Sequence, residues 1–203
     1  MKRAILRSVL LAIFGVVGGA FAQIAIPVGE AKAVFAGGCF WCMQPPFDRV
    51  MGVTKTVVGY TGGAEANPTY QQVSAGETGH REAIEVTFDP AKISYAQLVE
   101  VFWHNINPIQ RDGQFHDVGD QYTSAIFYNS DEQHKAAEDS KEALAKSGKF
   151  QKPIATVILP AGQFWPAEEY HQKYYLKNSM AYGMYHFASG RAPYKHRIWG
   201  TVP

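Results

Sequence analysis

The only two cysteines in 203 residues sit within Gly38-Cys39-Phe40-Trp41-Cys42. A structural disulfide stabilises mainly by closing a long loop in the unfolded chain, and a loop this short closes almost none. Thiols at this spacing are better suited to act in succession. One attacks a substrate, and the other resolves what the first becomes.

Spacing alone leaves other chemistry open, because Cys-x-x-Cys also serves zinc sites and thioredoxin-like oxidoreductases. No second ligand pair accompanies this one, and the seven histidines show no ligand spacing to it, which argues against zinc. The intervening pair is Phe40-Trp41, suited to gripping an apolar group, where a thioredoxin-like site would be expected to carry a small polar dipeptide. A second chemical feature lies in His80 to Phe88, which alternates with period two. Ile84, Val86 and Phe88 share one face, and Glu82 lies on that face by parity, while Arg81, Glu85 and Thr87 point away. A carboxylate heads an apolar stripe, although a strand-end carboxylate turned to solvent would have the same pattern.

The elements that must position these groups can be read along the chain. Ala33 to Ala36 is a short buried strand ended by Gly37-Gly38. The cysteine motif then opens a helix in which Pro45 and Pro46 are tolerable only in the first turn. Val53 to Tyr60 and the segment to Phe88 are strands, separated by a polar loop with Asn67-Pro68-Thr69-Tyr70. Ser94 with Gln97 caps a helix to about Ile106, and Ser130 with Gln133 caps one that stops near Gly148. Asn107 to Asp120 reads as a loop, Tyr122 to Tyr128 and Ile154 to Leu159 as strands, Ala167 to Leu176 as a last helix, and the tail from Asn178 as irregular. The order over residues 33 to 128 is β-α-β-β-α-β, an α+β ferredoxin-like two-layer α/β sandwich with a C-terminal extension.

Composition bounds the function. Hydrophobic residues are 46% and charged residues 18%, so the chain is globular, and a net charge of +1 removes any electrostatic case for nucleic acid. Aromatics at 13% suit an aromatic-lined pocket or a tyrosine-rich core equally. Residues 1–22 are a separate object. Lys2, Arg3 and Arg7 precede an uncharged apolar run from Val9 to Gly19, and Ala20-Phe21-Ala22 fits a small-x-small cleavage site with Gln23 as the mature start. The run is shorter than the ~20 residues a spanning helix needs, so cleavage is expected rather than membrane anchoring. The expectation is a signal peptide over 1–22 and a single domain over 23–203, exported to the periplasm or secreted, where thiols tend to oxidise.

Five segments resemble the peptide methionine sulfoxide reductases of type A: Gly37-Gly38-Cys39-Phe40-Trp41-Cys42, Gly59-Tyr60-Thr61-Gly62-Gly63, Asn67-Pro68-Thr69-Tyr70, Gly79-His80-Arg81-Glu82-Ala83 and Gly119-Asp120-Gln121-Tyr122. They occur in the family's order, and the likeness runs from about Ala33 to Trp199. The subgroup with a second cysteine inside GCFWC is the most similar. Enzymes of this kind reverse methionine oxidation, one enzyme for each sulfoxide epimer.

The resemblance implies roles residue by residue. Cys39 matches the nucleophile that attacks the sulfoxide sulfur, and a place at a helix N-terminus would favour its thiolate. Glu82 matches the proton donor to the sulfoxide oxygen, with desolvation on its apolar face raising its pKa. Tyr70 and Tyr122 match hydroxyls that bind the same oxygen. Phe40 and Trp41 match the walls of an S-methyl pocket, and Asp117 a residue that holds the methionine backbone. His80 reads as structural, and His171 as a surface residue without a partner. Cys39 would become a sulfenic acid, Cys42 would condense with it, and an external dithiol such as thioredoxin would reduce the disulfide, with no bound cofactor. The chain departs from the commonest family pattern in having no C-terminal cysteines, which leaves Cys42 as the resolver. The expected partners are methionine sulfoxide, free or in oxidised proteins, and a thioredoxin-like reductant, with the chain itself a monomer. From the residues alone, a general dithiol–disulfide oxidoreductase and a module that only binds oxidised methionine remain alternatives.

Overall fold

The computed structural model describes residues 29–200; the export segment expected over 1–22 lies outside them. Strand β1 (Ala31–Ala36) ends at the glycine pair, and helix α1 (Phe40–Asp48) begins with Cys39 as its N-cap. There follow β2 (Val53–Thr61), a short α2 (Tyr70–Ser74), β3 (Arg81–Phe88) and α3 (Tyr95–Trp103). A small hairpin of β4 (Gly113–Gln114) and β5 (Asp117–Val118) leads through a 3-10 turn at Asp120–Tyr122 into β6 (Ala125–Tyr128) and α4 (Asp131–Lys146). The extension comprises β7 (Val157–Pro160), β8 (Trp165–Pro166), a 3-10 turn at Glu169–His171, α5 (Tyr174–Lys177), α6 (Ser179–Ala188) and α7 (Arg191–Trp199).

The main sheet runs β7-β6-β1-β3-β2-β8. Its inner four strands, β6-β1-β3-β2, are antiparallel neighbours, which is the ferredoxin-like arrangement expected from the element order. β7 joins β6 in parallel and β8 joins β2 antiparallel, so the extension lengthens both edges. Phe35, Ile84, Val86 and Phe88 pack one sheet face onto Met43 and Phe47 of α1, Leu98, Val99 and Phe102 of α3, and Ala137 and Leu144 of α4. Burying each large side chain there is worth about 1.5–3 kcal/mol. The opposite face carries Val34, Ala36, Ala83, Ala125 and Phe127 under Leu159, Ala161 and Phe164.

Several local expectations need correction, some for reasons local to the chain and others because of bonds to distant segments. Pro45 and Pro46 lie in the second turn of α1, not the first. The helix continues through them although the Trp41 and Cys42 carbonyls lose their i+4 donors; burial of Phe40, Cys42, Met43, Gln44, Pro45 and Phe47 offsets that loss. The 67–70 loop gives way to α2, capped by reciprocal Thr69 and Gln72 bonds. The strand expected from Tyr122 starts only at Ala125, because 120–122 turns as a 3-10 helix after Gly119 at φ +139°. The single helix expected over 167–176 is broken. Gln172 donates to the Val58 and Ala167 carbonyls and accepts from the Val58 N–H, while Lys173 adopts φ +55° and gives its N–H to Gln44. Finally, the tail beyond Asn178 is helical, as α6 and α7. Neither helix carries a buried apolar residue, so no hydrophobic stripe announces them. Among the described residues, no helix is long and apolar enough to cross a membrane.

Candidate active site

The turn between β1 and α1 brings the thiols to the sheet. Gly38 adopts φ +80°, and a Cβ there would lie 2.5 Å from Gln114 Cβ, so glycine is required on both counts. Cys39 then accepts the first backbone bonds of α1, from the Cys42 N–H at 3.0 Å and the Met43 N–H at 3.3 Å. Both cysteines are free thiols and nearly inaccessible, at 6% exposure for Cys39 and 2% for Cys42.

The pleat of β3 points Glu82 into the same place. Glu82 is 2% exposed, on the face shared with Ile84, Val86 and Phe88, as its parity requires. The Phe40 N–H at the start of α1 donates to Glu82 Oε2 at 2.9 Å, which occupies one carboxyl oxygen and leaves the other for a bound group. Burial raises the Glu82 carboxyl to about 8; the Phe40 bond opposes the rise without cancelling it, and the nearby Asp117 adds to it. At pH 7 the neutral acid therefore outnumbers the carboxylate by about ten to one.

A cavity with about 310 Å³ of empty space joins these groups. It is lined by Cys39, Phe40, Trp41, Tyr70, Glu82, Asp117, Tyr122 and Tyr185. All the residues singled out in the sequence except Cys42 line it; Cys42 lies one helical turn behind Cys39. Tyr70 opens α2, its N–H held by Glu168 Oε1 at 2.9 Å, and burial together with the Glu82 charge pushes its phenol up to about 12. Tyr122 is raised for the same reasons, so both remain proton-bearing donors at neutral pH. Asp117 comes from β5, and Tyr185 Oη donates to its Oδ2 at 2.6 Å.

One expectation changes here. The start of α1 was expected to favour the Cys39 thiolate, but burial outweighs it and raises the Cys39 thiol, helped by Cys42 and Glu82. Cys42 moves the other way: the Cys39 thiol donates to it and lowers it, against its burial, and the nearby Arg191 charge contributes to the lowering. Of the two thiols, Cys39 is therefore the harder to ionise in the empty site.

His171 corrects a second expectation. It is 1% exposed and central to the aromatic wall, not a surface residue. Its Nδ1 accepts the Trp41 indole N–H at 2.9 Å, and its ring packs 4.4 Å from Tyr70 and 5.0 Å from Phe40. Tyr174 stacks on the Trp41 ring, with centroids 3.8 Å apart and planes within 7°. Glu168 ties the wall together by accepting from Tyr60 Oη at 2.8 Å as well as from the Tyr70 N–H. Sequence reading missed Glu168, His171, Tyr174 and Tyr185, which come from the segment read as one helix and an irregular tail. Their only sequence signal is the density of aromatic residues from Tyr170 to Phe187. His80 is buried and structural, accepting from the Gly63 N–H at 3.1 Å and bonding the Glu65 carbonyl at 2.7 Å. Among the described residues, no group of three His, Cys, Asp or Glu side chains is placed to hold a metal ion.

Comparison with known proteins agrees with this geometry. The family model described as peptide methionine sulfoxide reductase matches residues 31–202. A curated relative, peptide methionine sulfoxide reductase MsrA of Listeria innocua, is 54% identical over 168 residues, covering 83% of this chain and 95% of its own. Among solved structures, reduced Mxr1 of Saccharomyces cerevisiae superposes with a TM-score of 0.70 at 31% identity, covering 76% of this chain and 88% of its own. Methionine sulfoxide reductase A of Corynebacterium diphtheriae gives 0.67 at 34% identity, covering 75% and 76%. The chain belongs to the peptide methionine sulfoxide reductase family.

Proposed function

We propose that this protein reduces the S epimer of methionine sulfoxide, free or within proteins, to methionine, with a thioredoxin-type dithiol as the external reductant. The observation that carries the reading is the convergence of one thiol, one neutral carboxylic acid and three phenols on a single aromatic-walled cavity. Phe40 and Trp41 receive the S-methyl group. Tyr70, Tyr122 and the Glu82 proton bind the sulfoxide oxygen, and Asp117 with Tyr185 takes the methionine backbone.

Chemistry follows from the protonation state. Cys39 holds its proton until the sulfoxide is seated, since Cys39 and Glu82 are both neutral in the empty site. As sulfur attacks sulfur, Glu82 hydrogen-bonds and protonates the oxygen, relieving its developing charge, and the Cys39 proton is the one released in exchange. The hydroxyl then passes from the substrate sulfur to the Cys39 sulfur: the sulfoxide S–O bond and the transient S–S bond break, a Cys39 S–O bond forms, and methionine leaves with the electron pair, so Cys39 is oxidised to a sulfenic acid as the sulfoxide is reduced. Cys42 thiolate then forms the S–S bond with Cys39 and expels hydroxide, which is protonated to water. An external dithiol reduces the disulfide by two thiol exchanges, so the cycle needs no bound cofactor.

The decisive experiment incubates the mature protein with separated R and S methionine sulfoxide peptides and dithiothreitol. Loss of the S peptide alone is expected; reduction of neither, or of the R peptide, overturns the reading. The same chain is further proposed to be exported after cleavage at Ala22, on the strength of the basic and apolar blocks over 1–22. N-terminal sequencing of protein from the exported fraction should then begin at Gln23.

A further inference from the structure

Arg191, the first residue of α7, is 1% exposed, and among the described residues its guanidinium forms no ion pair. Its guanidinium donates to the Asn105 carbonyl, to the Gly37 carbonyl at 3.1 Å and to the Met43 sulfur at 3.6 Å. It also lies 4.5 Å over the Phe115 ring. Its Nε has no partner among the described residues. Burying an unpaired cation is costly, and buried charges are ordinarily paired with an anion. The bond to Gly37 and the bond to Asn105 fix this cation at the turn that carries the two thiols. Gly37 lies two residues before Cys39 and Met43 directly follows Cys42, so these bonds seat the guanidinium at the turn that holds both thiols, where its charge reaches Cys42.

We propose that Arg191 is the positioning residue of the resolving step: its guanidinium holds the Cys42 sulfur as the attacking thiolate, directed at the Cys39 sulfenic acid. The bond formed is Cys39–Cys42 S–S, the bond broken is the S–O of the sulfenic acid, and hydroxide leaves to become water. In the reverse sense, when a donor thiolate opens the disulfide at Cys39, Arg191 stabilises Cys42 as the leaving thiolate. Once the disulfide has formed, the cation has lost its anion. That raises the energy of the oxidised site relative to the reduced one and makes the disulfide easier to reduce, a useful property where thiols tend to oxidise.

Groups of both signs act on Cys42. The Cys39 thiol donates to it, Arg191 adds a favourable charge, and burial and the Asp117 carboxylate oppose the thiolate. Glu82 from β3, Tyr182 from α6 and Lys195 from α7 also respond to its charge. Glu82 is neutral at pH 7, and Lys195 adds a second cation on the same side, so Asp117 is the one carboxylate set against the arginine.

This inference rests on Cys42 being the resolver, so its test avoids the sulfoxide altogether. In the full mature chain, Cys42 is titrated by thiolate absorbance in a Cys39→Ser background, with and without Arg191→Gln. Separately, the Cys39–Cys42 pair is equilibrated with dithiothreitol in wild type, Arg191→Gln and Arg191→Lys. Arg191→Gln should raise the proton affinity of Cys42 about tenfold or more and shift the exchange equilibrium about tenfold toward disulfide, equivalent to about 30 mV. Arg191→Lys should restore part of both. A titration and an equilibrium constant both within twofold of the parent would overturn the proposal. If Arg191→Gln does not fold, the parent Cys39→Ser titration decides: Cys42 below the ordinary thiol value of about 8.5 supports the proposal, and at or above it refutes it. Failure here, with S-specific reduction intact, would sink Arg191's role and leave the enzyme reading standing.

Discussion

Replacing Glu82 with Gln should make the protein more stable at neutral pH while disabling it. In the fold the carboxyl sits at about 8, against an ordinary value of 4.5, because burial disfavours its charge. Between those two values the folded state binds a proton that the unfolded chain does not, so stability falls as pH rises from about 4.5 to about 8 and then levels off. At about 1.4 kcal/mol per pH unit, the full loss is about 5 kcal/mol, of which about 3 kcal/mol has accrued by pH 7. Gln keeps the shape and can still accept the Phe40 N–H, but it has no proton to gain or lose. Urea unfolding of both mature proteins at pH 5 and pH 8 isolates the effect, since every other titrating group is common to the two. Wild type should lose several kcal/mol relative to Glu82→Gln across that interval. A stability difference that stays constant from pH 5 to pH 8 would refute the reasoning, because the carboxyl would then titrate alike in both states. The same proton makes wild-type turnover fall above about pH 8, as the acid form is lost. In Glu82→Gln the reduction step should slow by about 10²–10⁴-fold, the range for a lost general acid, with Cys39 still open to alkylation.

The remaining predictions concern the parts around that acid. Cys42→Ser should release one methionine per enzyme and then stop with a thioredoxin-type donor; sustained turnover with that donor would remove Cys42 from the resolving role. His171→Ala frees the Trp41 indole and opens the wall behind Phe40 and Tyr70. The loss of about 1 kcal/mol for that bond should appear as a five- to tenfold rise in KM with a smaller effect on kcat, and a pure kcat defect would contradict a binding role. Gly38→Ala places a methyl 2.5 Å from Gln114 Cβ at a positive φ. Left-handed strain alone costs about 1–2 kcal/mol, so the urea midpoint should drop and activity should fall with it. An unchanged midpoint would show that the turn can rearrange without strain.

How much of this was legible beforehand depended on how local each cause is. Parity along β3 placed Glu82 on the buried face because a strand alternates whatever its neighbours are. Capping signals at Ser94–Gln97 and Ser130–Gln133 marked two helix starts correctly, since those bonds span only three residues. The same three-residue signal is present at Thr69–Gln72, where it caps α2. The extension resisted the same reading. Gln172 and Lys173 take their conformations from Val58 and Gln44, more than a hundred residues away, and α6 and α7 pack through tyrosines and an arginine rather than an apolar stripe.

The sequence by itself placed two thiols within one helical turn, a carboxylate on an apolar strand face and the elements in β-α-β-β-α-β order, and its motifs carry the family resemblance, because these follow from residue types at short spacing. Only the tertiary structure decided that Cys39 is buried as a thiol, that Glu82 is held in its neutral form, and that His171 takes the Trp41 indole N–H while Tyr174 stacks on its ring. It alone brought Arg191 from the tail onto the Gly37 carbonyl and the Met43 sulfur, at the turn that carries both thiols. The physical reason is the same in each case. Desolvation and charge depend on every atom that closes around a group, and here the closing atoms come from segments remote in the chain.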